Sequence, residues 1–328
     1  MAHMDIFKDD AFSLSQLTAA IQNMPYQPGR IEKLGLFNED SINTLSVTIE
    51  SQDGVLKLVD VTQRGAPSAP MAHPSRAIRS FTVPHIALPD YLTADQVTGV
   101  RSFGTESELE TIVKVVAQRM QPMRNSIEYT IESHRLMAIK GQYMNAGGAA
   151  VSLFTEFGVS QQTLGMALTT GTTKVRQKIM TMLEYIEDAL GGLSFSGVRV
   201  LCGKNFWSEL IEHPVVKETY LNSQAANALR ADPRMEFEFG GVVWERYRGT
   251  SAVKVEDDDA YAVPEGVSDL FISRFAPGDF VGAAGTLGQR VYARQWERND
   301  GRGIEIEVQS NPLNLCTRPR AIIKLTKV

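Results

Sequence analysis

The side chains capable of chemistry are few and scattered. Histidine occurs at His3, His73, His85, His134 and His213, and no two stand four apart as a helix-borne zinc pair requires. Cys202 and Cys316 lie far apart without metal-ligand spacing, so they read as buried, reduced thiols of a cytoplasmic type. Gly203-Lys204-Asn205 has the Gly-Lys of a phosphate loop but neither the hydroxyl nor the upstream glycine. Gly282, Gly285 and Gly288 recur at a spacing that fits no nucleotide fingerprint. Gly192-Leu193-Ser194-Phe195-Ser196 ends in serine where a nucleophile elbow needs glycine. Glu256-Asp257-Asp258-Asp259 lacks the alternating ligands of a calcium loop and reads as a solvated turn. The expectation is therefore no catalytic residues, no cofactor and no metal.

What remains distinctive is charge. The net charge is -5, which argues against nucleic-acid binding by the whole surface while leaving room for a local basic face. Arg64, Arg76 and Arg79 make one segment basic against that background, a pattern suited to an acidic patch on a neighbouring molecule. Trp207, Trp244 and Trp296 do not interleave with basic residues and read as core or interface anchors.

The element that must organise these residues is one long helix, from Thr105 to Lys140. Thr105 and Glu108 have capping-box spacing, and Gly141 stands where a left-handed stop belongs. Leu109, Val113, Val116, Met120, Met123, Ile127 and Ile131 step by three or four along one stripe. Lys114, Arg119, Arg124, Glu128, Glu132 and Arg135 are set away from it. At roughly 1.5 Å per residue the rod reaches about 50 Å, and Pro122 is expected to bend it.

Before this helix, Ser13 to Asn23 forms a short helix ended by Pro25, Pro28 and Gly29, in a segment expected to lie along another surface. Met1-Ala2-His3 ahead of Met4 looks like a cloning remnant, which sets His3 aside. Residues 44–50 and 55–61 alternate on both sides of Asp53-Gly54, a hairpin signal. A proline-rich tip, 63–74, leads to a return strand over 76–88, so residues 46–88 form a long two-stranded excursion. A ribbon of this kind is barely stable alone and needs a partner surface.

After the helix, two short strands are expected around Gly158, then a helix over 172–190 stopped by Gly191-Gly192. A buried strand over 198–203 follows. Asn205 is expected to cap the next helix, and Pro214 to end it before another from 215 to 228. Strands flank Gly240-Gly241, and the order suggests a compact α/β domain over 170–285. Strands over 270–273, 304–308 and 321–325 complete the chain. Hydrophobic content of 43% suits an ordinary folded protein, and no run of eighteen apolar residues could span a membrane.

Taken together these pieces resemble the major capsid proteins of lambda-like tailed phages, the major head protein E family. The resemblance covers nearly the whole chain. It rests on Leu34-Gly35-Leu36-Phe37, the 44–50 strand, Gly54-Val55-Leu56-Lys57-Leu58-Val59 and Arg64-Gly65-Ala66-Pro67. It rests also on Ala138-Ile139-Lys140-Gly141, Gln309-Ser310-Asn311-Pro312-Leu313 and Arg318-Pro319. It implies an α+β fold of the Hong Kong 97 capsid type. Residues 1–45 become an N-terminal arm and 46–88 an extended loop over a neighbouring subunit. Residues 89–169 and 286–328 become a peripheral domain with the spine helix 105–140, and 170–285 an axial domain. It implies hexamers and pentamers of an icosahedral shell, with scaffold and decoration proteins as partners. Double-stranded DNA would be held non-specifically on the inner face, with no membrane. Assembly would occur in the host bacterial cytoplasm and the product would be the virion capsid. Lys57, Arg64, Arg76 and Arg79 are the candidate intersubunit contacts. Lys57 is the loop's sole lysine, and lambda-like relatives use a decoration protein instead of covalent cross-links. The alternatives are a nanocompartment shell holding protein cargo, a ring-forming tail or head-completion protein, and a soluble enzyme with a site assembled from distant residues.

Overall fold

The Ser13 hydroxyl accepts the Gln16 amide and opens the first helix as an N-cap. From there the computed structural model describes residues 7–27, 29–52, 76–93, 96, 108–222 and 236–328. In chain order the elements are α1 (Leu14–Asn23), α2 (Arg30–Leu34), β1 (Phe37–Ser41), β2 (Ser46–Gln52), β3 (Arg76–Thr82), β4 (Ile86–Thr93) and the long α3 (Glu108–Ile139). Next come β5 (Gln142–Met144), β6 (Ala150–Ser152), α4 (Leu153–Phe157), β7 (Gln162–Gly165), α5 (Val175–Leu190), β8 (Gly197–Cys202), α6 (Lys204–Glu212) and α7 (Pro214–Asn222). The chain ends with β9 (Phe237–Phe239), β10 (Val242–Arg246), β11 (Asp259–Glu265), β12 (Phe271–Phe275), β13 (Tyr292–Glu297), β14 (Gly303–Ser310), β15 (Pro312–Cys316) and β16 (Ile323–Thr326).

Two apolar cores share α3. Its buried stripe is Ile112, Val116, Met120, Met123, Ile127 and Ile131, which packs with Leu92, Ile304, Ile306 and Val308 of the β13-β14-β4 sheet and with Leu17 and Ile21 of α1. The stripe differs from the expected one at its start, where Val113 is exposed and Ile112 is buried. One turn further on, Leu136 and Ile139 enter a second core built on the six-stranded sheet β7-β16-β11-β8-β10-β9. The helix passes through Pro122 and stops at Gly141, whose φ of 77° is the left-handed region. A Cβ at Gly141 would sit 2.1 Å from Phe154 Cε2, so close packing as well as the turn excludes a side chain. The expected cap Thr105 lies outside the described residues.

Several expectations are corrected. The two short strands expected around Gly158 are β6 and β7, but between them the chain adds a helix, α4, with Gly158 (φ 64°) as its left-handed stop. Gly203, not Asn205, caps α6, and Pro214 begins α7 as well as ending α6. Proline fits there because its missing N–H falls on a first-turn orphan position. The return strand divides at Pro84. β3 pairs with β2, from Ser46↔Thr82 to Gln52↔Arg76, whereas β4 joins the body by pairing with β14. The expected strand 55–61, the loop tip, and the helix beyond Asn222 lie outside the described residues. The last strand, β16, does not return to the β13-β14-β4 sheet. It sits between β7 and β11 in the six-stranded sheet, so that sheet draws strands from both sides of the 170–285 segment.

Candidate functional site

The middle of α3 carries a second stripe beside the apolar one. Arg124, Glu128, Glu132 and Arg135 step by four, four and three, and all four are buried. The sequence pattern sets them away from the apolar stripe. The N-terminal segment covers that face. Arg124 Nη1 donates to the carbonyls of Ile21, Gln22 (2.9 Å) and Met24 (2.6 Å) at the end of α1, where carbonyls lack intrahelical partners of the next turn. Arg290 grips Glu128 bidentately, with Nε at 3.0 and 3.1 Å and Nη2 at 2.7 Å. It also reaches Glu39 at 2.9 Å and Glu32 at 2.8 Å. Arg135 pairs with Glu39.

Tyr26 lies between two guanidinium groups, Arg124 at 4.5 Å and Arg290 at 5.4 Å from its ring centre. Burial, then the 2.7 Å bond from its hydroxyl to Glu32, push the Tyr26 phenol up to about 12. Burial opposes the charge on Arg290, and the Glu128 pair outweighs it, so its pKa rises. Glu132 accepts the Ile31 amide at 2.8 Å and the Tyr247 hydroxyl at 3.1 Å. A Cβ on Gly29 would meet Glu132 Oε2 at 2.1 Å, which is why glycine precedes α2. These contacts seat residues 21–39 on the helix as a structural part of the subunit.

The acidic run is also paired. Lys140 binds Glu256 at 2.7 Å, Lys254 binds Asp257 at 3.4 Å, Lys327 binds Asp258 at 2.9 Å and Lys324 binds Asp259 at 2.7 Å. The turn is solvent-exposed, as expected, and its pairs join it to the end of α3, the C-terminal strand and α6. The Asp257 carbonyl accepts the amides of Asn205 and Phe206 at 2.8 and 2.9 Å, and the Asn205 side chain donates to Asp258. The bond from Lys327, more than any other contact, holds the Asp258 carboxyl below its ordinary range.

The other sequence candidates do not converge. Lys57 and Arg64 lie outside the described residues, and Arg76 is described only by its backbone pairing with Gln52. Arg79 Nε donates to the Glu156 carbonyl at 2.6 Å, and its guanidinium lies 5.1 Å from the Phe157 ring centre. Phe81, on the same face, packs edge-on against Tyr143 at 5.2 Å. These two residues seat the inner face of the β2–β3 ribbon on the body, while Leu45 and Ile78 stay 72% and 65% exposed. His85 Nδ1 is 2.7 Å from Asn311 Oδ1, and His213 Nε2 is 3.2 Å from the Thr170 carbonyl oxygen. Both cysteines are free and buried. Gly288 is a packing glycine, since a Cβ there would strike the Phe275 carbonyl at 2.0 Å. Trp207 and Trp244 are core residues, whereas Trp296 is half-buried with Arg294 stacked 4.6 Å from its ring centre. Among the described residues no group of three or more His, Cys, Asp or Glu is placed to hold a metal ion. An open groove of about 570 Å³ runs beside β1; of its charged members, Arg199 and Glu265 are bonded to each other at 2.5 Å and Asp269 accepts the Asn38 side chain at 2.6 Å.

The described residues thus build a frame and its surfaces. The fold is α+β, of the Hong Kong 97 capsid type. It aligns with the capsid structure of the cyanophage P-SCSP1u at a TM-score of 0.56 and 10% identity, covering 89% of this chain and 86% of that one. Residues 13–327 match the phage major capsid protein E family, and the chain belongs to it. It is 27% identical to the major capsid protein of Salmonella phage Felix O1, over 95% of each chain. It is 28% identical to the major capsid protein of Pseudomonas phage KPP10, over 95% of this chain and 96% of that one. The family expected from the sequence is the one matched, and the chain is a structural capsid protein of the tailed-phage kind.

Proposed function

We propose that the chain is a major head protein that assembles as hexamers and pentamers into an icosahedral shell around double-stranded DNA. The observation that carries this reading is the β2–β3 ribbon, a two-stranded sheet seated at its base with apolar Leu45 and Ile78 turned outward. An exposed ribbon of this kind gains stability by lying on another subunit. Residues 46–88 are the loop that does so, and Lys57, Arg64 and Arg76 are its contacts with the neighbour. Arg79 acts at the base, where it also holds the ribbon to its own subunit. The arm is 1–45, the peripheral domain 89–169 with 286–328, and the axial domain 170–285, with β16 crossing to the axial sheet. A scaffold directs assembly in the host cytoplasm, a decoration protein reinforces the shell, and DNA is held non-specifically inside. The role is mechanical, without catalysis and without a covalent cross-link at Lys57.

The test is electron microscopy and light scattering of the purified protein, alone and co-expressed with its scaffold. Closed shells containing DNA, or rings of five and six subunits, are expected. A strictly monomeric species in every condition would overturn the reading, and shells containing only protein cargo would replace it with the nanocompartment.

A further inference from the structure

Helix α5 carries its charges against its own dipole. A helix start is favoured by acidic residues and a helix end by basic ones. Here Lys174 is the N-cap residue and makes no side-chain cap, and Arg176 and Lys178 follow; no acidic residue lies in the first turn. Glu184, Glu187 and Asp188 occupy the end, and no basic residue lies in the last turn. The pattern is unfavourable a second way. Lys174 with Lys178, and Glu184 with Asp188, are like charges four apart, which repel on a helix surface. Among the described residues Lys174, Lys178, Glu184, Glu187 and Asp188 have no ion-pair partner. Arg176 lies over the Phe239 ring at 5.7 Å. Between the charged ends Met180 is 58% exposed, and Leu193, just past the acidic end, is 44% exposed.

Each end lacks what the other offers. The basic start needs carboxylates, the acidic end needs ammonium groups, and apolar Met180 lies between them with Leu193 beside the acidic end. We propose that the two ends of α5 are the complementary halves of one contact between copies of this chain. The Lys174–Lys178 end of one copy meets the Glu184–Asp188 end of the next. A contact between different patches of identical subunits is heterologous, and repeated by rotation it closes a ring. The inference rests on the self-assembly reading and names the contact within it. It also gives the reversed pattern a physical reason, since charges that oppose the dipole in the free subunit are neutralised in the ring.

Three variants test it: the pair Lys174→Glu with Lys178→Glu, the pair Glu187→Lys with Asp188→Lys, and all four together. Each pair brings the helix into line with its dipole, so the thermal midpoint of the isolated subunit should equal or exceed the wild-type value. Each pair should nevertheless stay monomeric by light scattering where the wild type forms rings or shells. The quadruple variant restores complementarity with the signs exchanged and should assemble again. A mixture of the two pair variants should close even-numbered rings only, because two alternating species cannot close a ring of five. Normal assembly of either pair variant would overturn the inference. So would a quadruple variant that fails to assemble, since the ends would then serve separate partners. A pair variant forming normal shells that retain less DNA would assign the basic end to nucleic acid instead. In all three overturning cases the wild type still assembles, and only its failure would count against the shell reading.

Discussion

Replacing Arg290 with methionine removes the hub of the buried charge frame. The Glu128 side chain is 3% exposed, and its other cation, Arg124 Nε, is 3.8 Å away. The Nη1 of Arg124 is committed to the backbone carbonyls of residues 21–24. Arg290→Met therefore strands a buried carboxylate, and removing one partner of a buried pair costs about 3–5 kcal/mol. At about 1.4 kcal/mol per tenfold, the ratio of folded to unfolded chains falls by roughly two to three and a half orders of magnitude. Changing Glu128 to Gln in that background removes the stranded charge. The double variant should recover about 2 kcal/mol relative to the sum of the single effects, within the range found for residues in direct contact. The assay is urea unfolding of the isolated subunit at pH 7, read as a shift in midpoint at constant slope. Limited proteolysis provides a second readout, with cleavage between residues 24 and 39 rising in Arg290→Met. A loss under about 1 kcal/mol, the size of an exposed pair, would refute the claim that the frame is buried and coupled. Strict additivity of the two substitutions would refute it as well.

Three further outcomes follow from the same geometry. Burial depresses the His134 imidazole from 6.5 to about 4. The unfolded chain therefore binds the extra proton between those values, so stability is complete above pH 6.5 and falls by up to about 3 kcal/mol as pH drops toward 4; His134→Asn should flatten the midpoint-against-pH curve in that window. Gly141→Ala should cost more than the roughly 1–2 kcal/mol of a left-handed alanine because of Phe154, whereas Gly35→Ala, at φ 65° with nothing within 4 Å, should cost only that amount by the same urea assay. Burial holds the Cys202 thiol well above its ordinary range and pushes Cys316 up to about 12, so a thiol reagent at pH 8 should label both only at the rate of global unfolding.

The long helix, the short helix after Ser13 and the turn at Gly240-Gly241 were legible because each is a local signal: a period, a cap, a pair of glycines. The strand at 198–203 was legible because buried apolar runs of that length are distinctive. What failed was non-local. Arg124, Glu128, Glu132 and Arg135 look like a solvated face until residues 21–39 are laid over them, and no periodicity announces a covering segment. One available sign was that their spacing repeats the helical period beside the apolar stripe. Glu256–Asp259 was legible as a solvated turn but its ion pairs were not, since three of its four partners, Lys140, Lys324 and Lys327, lie more than 60 residues away in sequence. The final strand could be read as a strand but not assigned to its sheet, because Ile323–Thr326 pairs with residues 162–165 and 259–262.

The buried frame also decides which parts of the subunit remain for assembly. A segment held through backbone carbonyls is held whatever its side chains, and Arg124 binds three of them at the end of α1. Glu132 adds the amide of Ile31, and Arg290 and Arg135 add Glu32 and Glu39. Peeling this segment away would break the contacts of Arg124, Glu132 and Arg135 together, so its ordering belongs to folding of the subunit. Among the described residues the ribbon is held to its body by Arg79, Phe81, Val47 and Ile49 rather than by a charge frame, and Lys174, Lys178, Glu184, Glu187 and Asp188 of the α5 region have no ion-pair partner. Contacts completed only between copies are expected where a subunit is locally unsatisfied. On that ground the ribbon and the ends of α5, and not the seated N-terminal segment, are where substitutions should uncouple folding from assembly.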